Sequence, residues 1–199
     1  MSEIVKEGYL GIVDRSMSGK EIDTYPGETE DIQKKIRESG EPLKDTRPTK
    51  DMYYLDIARA VSKRSTCLKR HYGAVIVNND EIIATGYNGN PRGIENCCQR
   101  GYCQRLNKPH NSGDYSDCHS VHAEQNALLS AARRDMIGGT LYLVGEEYKL
   151  DDLLSGQRQE DVFGFIEIME DVSPCPICMR MIQNSGIKKI VTRSKTICL

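Results

Sequence analysis

A chain of 199 residues with 38% apolar content can bury a core as one domain without help from disulfides. Residues 1–50 carry 9 Lys/Arg against 11 Asp/Glu and residues 51–199 carry 18 of each; the net charge is −2, and the neutral body lacks the basic surface that drives nucleic-acid affinity. The first residues hold charges where a signal peptide needs an apolar run, and no stretch approaches the ~18 apolar residues of a membrane span, so a cytoplasmic protein is expected and its eight cysteines are read first for metal or nucleophile chemistry.

Residues 1–50 are polar and punctuated by Pro26-Gly27, Gly40, Pro42 and Pro48, with one short helix expected near 28–39. They read as an N-terminal extension that packs on the body or on a neighbouring subunit. The domain proper, 51–199, should open with a helix to about Lys63, capped by Asp51 and apolar along Tyr54, Ile57, Ala58 and Val61. The runs 73–77 and 81–85, joined by Asn78-Asn79-Asp80, predict a β-hairpin. A loop at about 89–119 then leads into a helix from about Val121 to Arg134, ended by Gly138-Gly139, and a strand over Thr140–Val144. Residues 145–172 read as an insertion, with strand character over 163–169. A helix near 175–184 stopped by Gly186 and a strand over 187–192 complete a three-layer α/β/α sandwich with a mixed sheet.

The sharpest chemical signal is His122-Ala123-Glu124 followed by Pro174-Cys175-Pro176-Ile177-Cys178, each at a predicted helix start. Cys175 and Cys178 share a helix face, and a helix N-terminus favours thiolates. One neutral imidazole and two thiolates match a zinc dication and leave a fourth tetrahedral position for water, whose pKa zinc lowers to roughly 7. Replacing an amino group also requires protons to be moved, and Glu124, in the first turn, has the reach for that. The pattern matches a known signature of zinc-dependent deaminases.

At these residues the sequence resembles the deoxycytidylate (dCMP) deaminase family within the cytidine deaminase-like fold. The resemblance covers roughly residues 51–192. It rests on Arg64-Ser65-Thr66-Cys67, on Gly73-Ala74-Val75-Ile76-Val77, on Gly86-Tyr87-Asn88-Gly89-Asn90-Pro91-Arg92-Gly93, on Val121 to Ala127, and on Ser173 to Cys178 with Ser185-Gly186-Ile187-Lys188-Lys189. It implies zinc held by His122, Cys175 and Cys178, proton transfer by Glu124, and contact of Asn88 with the sugar-phosphate part of a cytosine nucleotide, dCMP. It further implies a homo-oligomer, a hexamer in some members, with dCTP/dTTP regulation involving the loop that matches Gly89–Gly93. The sequence departs from the family in the thirty or so residues between Val144 and the Pro-Cys motif, and in ending soon after the strand at 187–192. Its sheet is therefore expected either to lack a last strand or to have that edge covered by residues 1–50.

Cys67, Cys97, Cys98, Cys103 and Cys118, with His110 and His119, form a second Cys/His-rich group. The resemblance implies a second, structural zinc using Cys67 and a cysteine of Asn96-Cys97-Cys98; the plain alternative is buried free cysteine, which packs as a small hydrophobe. Arg64 and Ser65 are the candidate clamp for a monophosphate, since a phosphate needs cationic and hydroxyl donors. Rival functions are deamination of another nucleotide such as dCTP, and a non-catalytic, zinc-stabilised nucleotide-sensing protein, which would have no use for Glu124.

Overall fold

The computed structural model describes residues 31, 34, 35, 37–40, 45–105, 108, 117–148 and 166–199. The chain divides into two units, Met1–Arg47 and Pro48–Leu199. In the first, residues 31, 34, 35 and 37–39 are helical, inside the helix expected near 28–39. Residues 1–30, on which the expected packing of the extension turns, lie outside the described residues.

The second unit opens with α1, Lys50–Ser62. Thr49 caps it in place of the expected Asp51. An N-cap needs extended dihedrals, which Thr49 has at φ −61, ψ 158, and its hydroxyl accepts the Met52 N–H at 3.3 Å. Asp51 falls in the first turn, where its carboxylate accepts the Tyr142 hydroxyl at 2.8 Å. Strands β1 (Arg70–Asn78) and β2 (Glu81–Tyr87) form the expected hairpin, longer than the sequence suggested at both outer ends. Asn79 and Asp80 take φ 49 and 69, the left-handed values that Asn and Asp tolerate and that a two-residue hairpin turn requires.

The other edge of β1 pairs antiparallel with β3 (Thr140–Tyr148), from Arg70 opposite Glu147 to Val77 opposite Thr140. Beyond β3, β5 (Lys189–Val191) runs parallel to its first half, while β4 (Ile166–Ile168), inside the expected insertion, pairs antiparallel with its end. A last strand does form, contrary to the expectation that it could be missing: β6 (Thr196–Cys198) returns antiparallel on β5. The turn before it is closed by the Thr192 N–H on the Lys195 carbonyl at 2.9 Å and the Lys195 N–H on the Thr192 hydroxyl at 3.2 Å. The sheet order is β2-β1-β3-β5-β6.

Alternation along the strands sorts the core into two layers. Val75, Val77, Tyr142, Val144 and Val191 face α1 through Tyr54, Leu55 and Ala58. Gly73 sits on this face because any Cβ there would stand 2.0 Å from the Ala58 carbonyl oxygen. The opposite face, Ala74, Ile76, Leu141, Leu143 and Ile190, is covered by α3 (Ala123–Leu129), by Met136 of α4 (Arg133–Met136) and by Ile182 of α5 (Pro176–Ser185). Helix α2 (Cys97–Arg100) lies in the long loop after β2.

The single helix expected from Val121 to Arg134 is thus two short ones. The break comes at Ser130, whose hydroxyl donates to the Asn126 carbonyl at 2.8 Å while its N–H divides between the Asn126 and Ala127 carbonyls, ending the regular ladder. Among the described residues no helix is long and apolar enough to cross a membrane.

Candidate functional site

Two helix starts meet on one face of the sheet. His122 is the N-cap of α3 and Cys175 the N-cap of α5, with Pro176 at the first helical position, where a missing N–H costs no hydrogen bond. The Cys175 thiol accepts the Cys178 N–H at 3.4 Å, and the Gln125 side chain accepts the His122 N–H at 2.9 Å. Helix α3 is seated by Gly86 of β2: a Cβ there would lie 2.2 Å from the Ala123 carbonyl oxygen and 2.3 Å from the Ala127 nitrogen. Two further ties fix its entrance. Gly89 and Val121 exchange N–H to carbonyl bonds at 3.1 and 2.8 Å, and the Asn126 amide donates to the Tyr87 carbonyl at 2.7 Å.

The seating brings His122 Nδ1 to 3.4 Å from Cys178 Sγ and 3.6 Å from Cys175 Sγ. A tetrahedral zinc with ordinary Zn–S and Zn–N bonds separates such atoms by about 3.6 Å. Among the described residues this is the one group of three or more His, Cys, Asp or Glu whose ligand atoms lie within 4.8 Å of one another. The expected thiolate preference at the helix start does not hold for Cys178 without a cation. Burial, then the nearby Glu124 carboxylate and the Cys175 thiol, push its pKa upward. Ionised forms of these groups repel one another, and a dication at their centre reverses that sign. The residues present therefore fit zinc.

Glu124 is 4% exposed, in the first turn of α3. Burial raises its carboxyl above the ordinary glutamate range, against its own backbone N–H, His122 and a hydrogen bond from Cys178. A carboxyl so placed binds a proton more readily than an exposed glutamate does. On the sheet below, Tyr72 is pushed up to about 12, chiefly by burial, with Glu124 among the charges acting on it. Arg70, one rung further out, donates from Nε and Nη2 to Oε1 of its cross-strand partner Glu147 at 2.9 and 2.8 Å. Tyr72 and the Arg70–Glu147 pair escaped the sequence reading. The alternation of β1 puts residues 70 and 72 on the face of Ala74 and Ile76, which was the available signal.

The structure places the substrate-side candidates differently from one another. Asn88 and Ser65 are both buried and bonded together, Ser65 Oγ donating to Asn88 Oδ1 at 2.7 Å. Arg64 is exposed, its N–H closing the turn after α1 on the Val61 carbonyl at 3.0 Å. Of the second Cys/His group, Cys97 and Cys103 lie near enough to Cys67 to add to the burial that raises its thiol. Cys98 is exposed, Cys118 is half-buried, and His110 lies outside the described residues. A cavity of about 260 Å³ opens between the 85–96 segment and the outer side of α3, lined by Thr66, Asn90, Arg92, Asn96 and Asn126 among others. Neither Glu124 nor any of the three clustered ligands lines it, so the cavity and the candidate chemistry lie in different places.

The profile of the cytidine and deoxycytidylate deaminase zinc-binding region matches residues 48–194. The deoxycytidylate deaminase of Schizosaccharomyces pombe is 36% identical over 146 residues, 73% of this chain and 37% of that protein. That of Saccharomyces cerevisiae is 36% identical over 147 residues, 73% and 38% of the two chains. The chain thus spans little more than a third of either yeast relative. The deoxycytidylate deaminase of Mycobacterium phage D29 is 36% identical over 152 residues, and there the match covers 73% of this chain and 95% of the phage protein. With its His-x-Glu and Pro-Cys-x-x-Cys segments brought to one point, the chain belongs to the cytidine and deoxycytidylate deaminase family.

Proposed function

We propose that the chain is a zinc-dependent deaminase that converts dCMP and water to dUMP and ammonia. The observation that carries this reading is a buried carboxyl, Glu124, two residues beyond a ligand of a His/Cys/Cys group with tetrahedral spacing. A purely structural metal site has no use for a carboxyl there. Zinc, held by His122, Cys175 and Cys178, supplies Lewis acidity that makes water nucleophilic at neutral pH. Glu124 takes the first proton that the attacking water loses and delivers it to N3 of the ring, then takes the proton remaining on the new C4 hydroxyl and passes it to the amine, so that the C4–N bond breaks, C4=O forms and ammonia leaves. Asn88 and Arg64 are the residues proposed to meet the sugar and the phosphate.

The choice of dCMP is supported by three deoxycytidylate deaminases at 36% identity, one of them matched over nearly its whole length. Cytoplasmic location, homo-oligomeric assembly and dCTP/dTTP regulation belong to the same proposal and rest on the family resemblance. So does a second, structural zinc; Cys97 and Cys103 act on Cys67, but these three thiols do not all lie within 4.8 Å of one another. One zinc per chain in protein purified without chelator would count against it. The decisive experiment is ammonia release from a panel of cytosine, adenine and guanine nucleosides and nucleotides. Preference for dCMP supports the reading, preference for dCTP moves the substrate and keeps the chemistry, and no release from any of them supports the non-catalytic rival.

A further inference from the structure

The carboxamide of Asn88 is held on three sides, and two of the three partners are backbone groups with fixed hydrogen-bonding roles. The Tyr72 backbone N–H donates to Oδ1 at 2.7 Å, and Nδ2 donates to the Arg70 carbonyl at 2.9 Å, which fixes which end is oxygen and which nitrogen. Ser65 Oγ gives Oδ1 its second donor at 2.7 Å and in turn accepts the Cys67 N–H at 3.3 Å. Both residues are buried, Ser65 at 8% and Asn88 at 7% exposure. An amide oxygen has two lone pairs and an amide nitrogen two protons. With the Tyr72 N–H on one lone pair of Oδ1 and the shorter of the two Ser65 contacts on the other, the capacity left on the carboxamide is one N–H.

The same count applies to the hydroxyl. Serine has a single proton, and here it points to Asn88, whose own carbonyl lies at 2.9 Å as the alternative acceptor. A phosphate carries only acceptors at neutral pH and recognises donors. Ser65 has none left to give. The held segment continues directly into the metal site: Gly89, next to Asn88, is tied by two backbone bonds to Val121, the residue before His122.

We infer that Ser65 is a positioning residue that acts through Asn88, not a phosphate ligand, and that Asn88 meets the substrate as a donor only, through its remaining N–H. The substrate atom it recognises is then an acceptor, such as a sugar hydroxyl or phosphate oxygen. This rests on the deaminase reading for the identity of the ligand and on hydrogen-bond geometry for the rest.

The test compares kcat/KM on dCMP and on deoxycytidine for Ser65→Ala, Asn88→Ala and the double variant, all zinc-loaded. Ser65→Ala should lower both substrates by the same factor, about tenfold, mostly through KM, because the loosened carboxamide serves either. The double variant should be no worse than Asn88→Ala, the mark of one residue acting through another. A loss confined to dCMP, no loss on either substrate, or additive losses in the double variant overturns the inference. Wild-type protein inactive on dCMP would sink the functional reading alone. The inference is then decided by amide hydrogen exchange, where Ser65→Ala should speed exchange at Tyr72 and leave Val75 in mid-strand protected; unchanged exchange at Tyr72 overturns it.

Discussion

Glu124 is the residue on which chemistry and burial meet. A carboxylate at 4% exposure is costly unless neutralised or paired, and its raised pKa comes from that cost first. If it carries protons between water, N3 and the leaving amine, Glu124→Gln should keep zinc, keep the fold and lose about 10²–10⁴-fold in kcat. Metal analysis and steady-state rates on one preparation check this, and near-native kcat in the variant would remove Glu124 from the mechanism. Tyr72 offers a second residue-level expectation. Its folded-state pKa of about 12 lies above the ordinary tyrosine value of 10.0, so folding favours the neutral phenol. That contribution is complete below pH 10 and declines as pH rises towards 12. Unfolding free energy measured across this range should fall, and Tyr72→Phe should flatten the fall; equal slopes in the two proteins would refute the assignment.

At the scale of elements, the site depends on how closely α3 can approach β2. Gly86 is the contact point, with no room for a methyl group between strand and helix. Gly86→Ala should therefore push the start of α3 outward, separating His122 from the two cysteines of α5. Overpacking of this kind typically costs about 1–3 kcal/mol, and a shift near 1 Å in a catalytic constellation can cost about a hundredfold in rate. The expected result is a folded, destabilised protein with weakened zinc retention and low activity, seen by thermal unfolding and metal analysis together. Full activity and zinc content would show that α3 is seated by something else, such as the Gly89–Val121 bridge.

For the whole molecule, the His/Cys/Cys group joins two helices whose ligand residues stand 53 and 56 positions apart in the sequence. A ligand that binds only the folded state stabilises it by mass action, about 4 kcal/mol when present at a thousand times its Kd. Chelation should accordingly lower the midpoint of thermal unfolding, and zinc should restore it. Glu124→Gln should show the same chelator response as the wild type, since it removes no ligand, whereas Cys178→Ala should show little. An unfolding midpoint indifferent to chelator in the wild type would argue against a bound metal at this centre.

The sequence by itself determined what depends on short spacing. The hairpin turn at Asn79-Asp80, the glycine stop at Gly186 and the i, i+3 placement of Cys175 and Cys178 were all legible there, because local dihedrals and one turn of helix settle them. The pairing of His122 with those cysteines could be read from residue types, since few groupings other than a metal centre use one imidazole and two thiols in that order. What only the tertiary structure decided is the direction of hydrogen bonds and the partners of buried charges. Ser65 and Asn88, 23 positions apart, look equally suited to a phosphate until the fold gives the single hydroxyl proton to an amide oxygen. The pairing of Arg70 with Glu147, 77 positions apart, and the action of both and of Glu124 on Tyr72 have the same origin. In each, groups distant in sequence compete for one donor or one buried volume, and residue identity does not settle which partner wins.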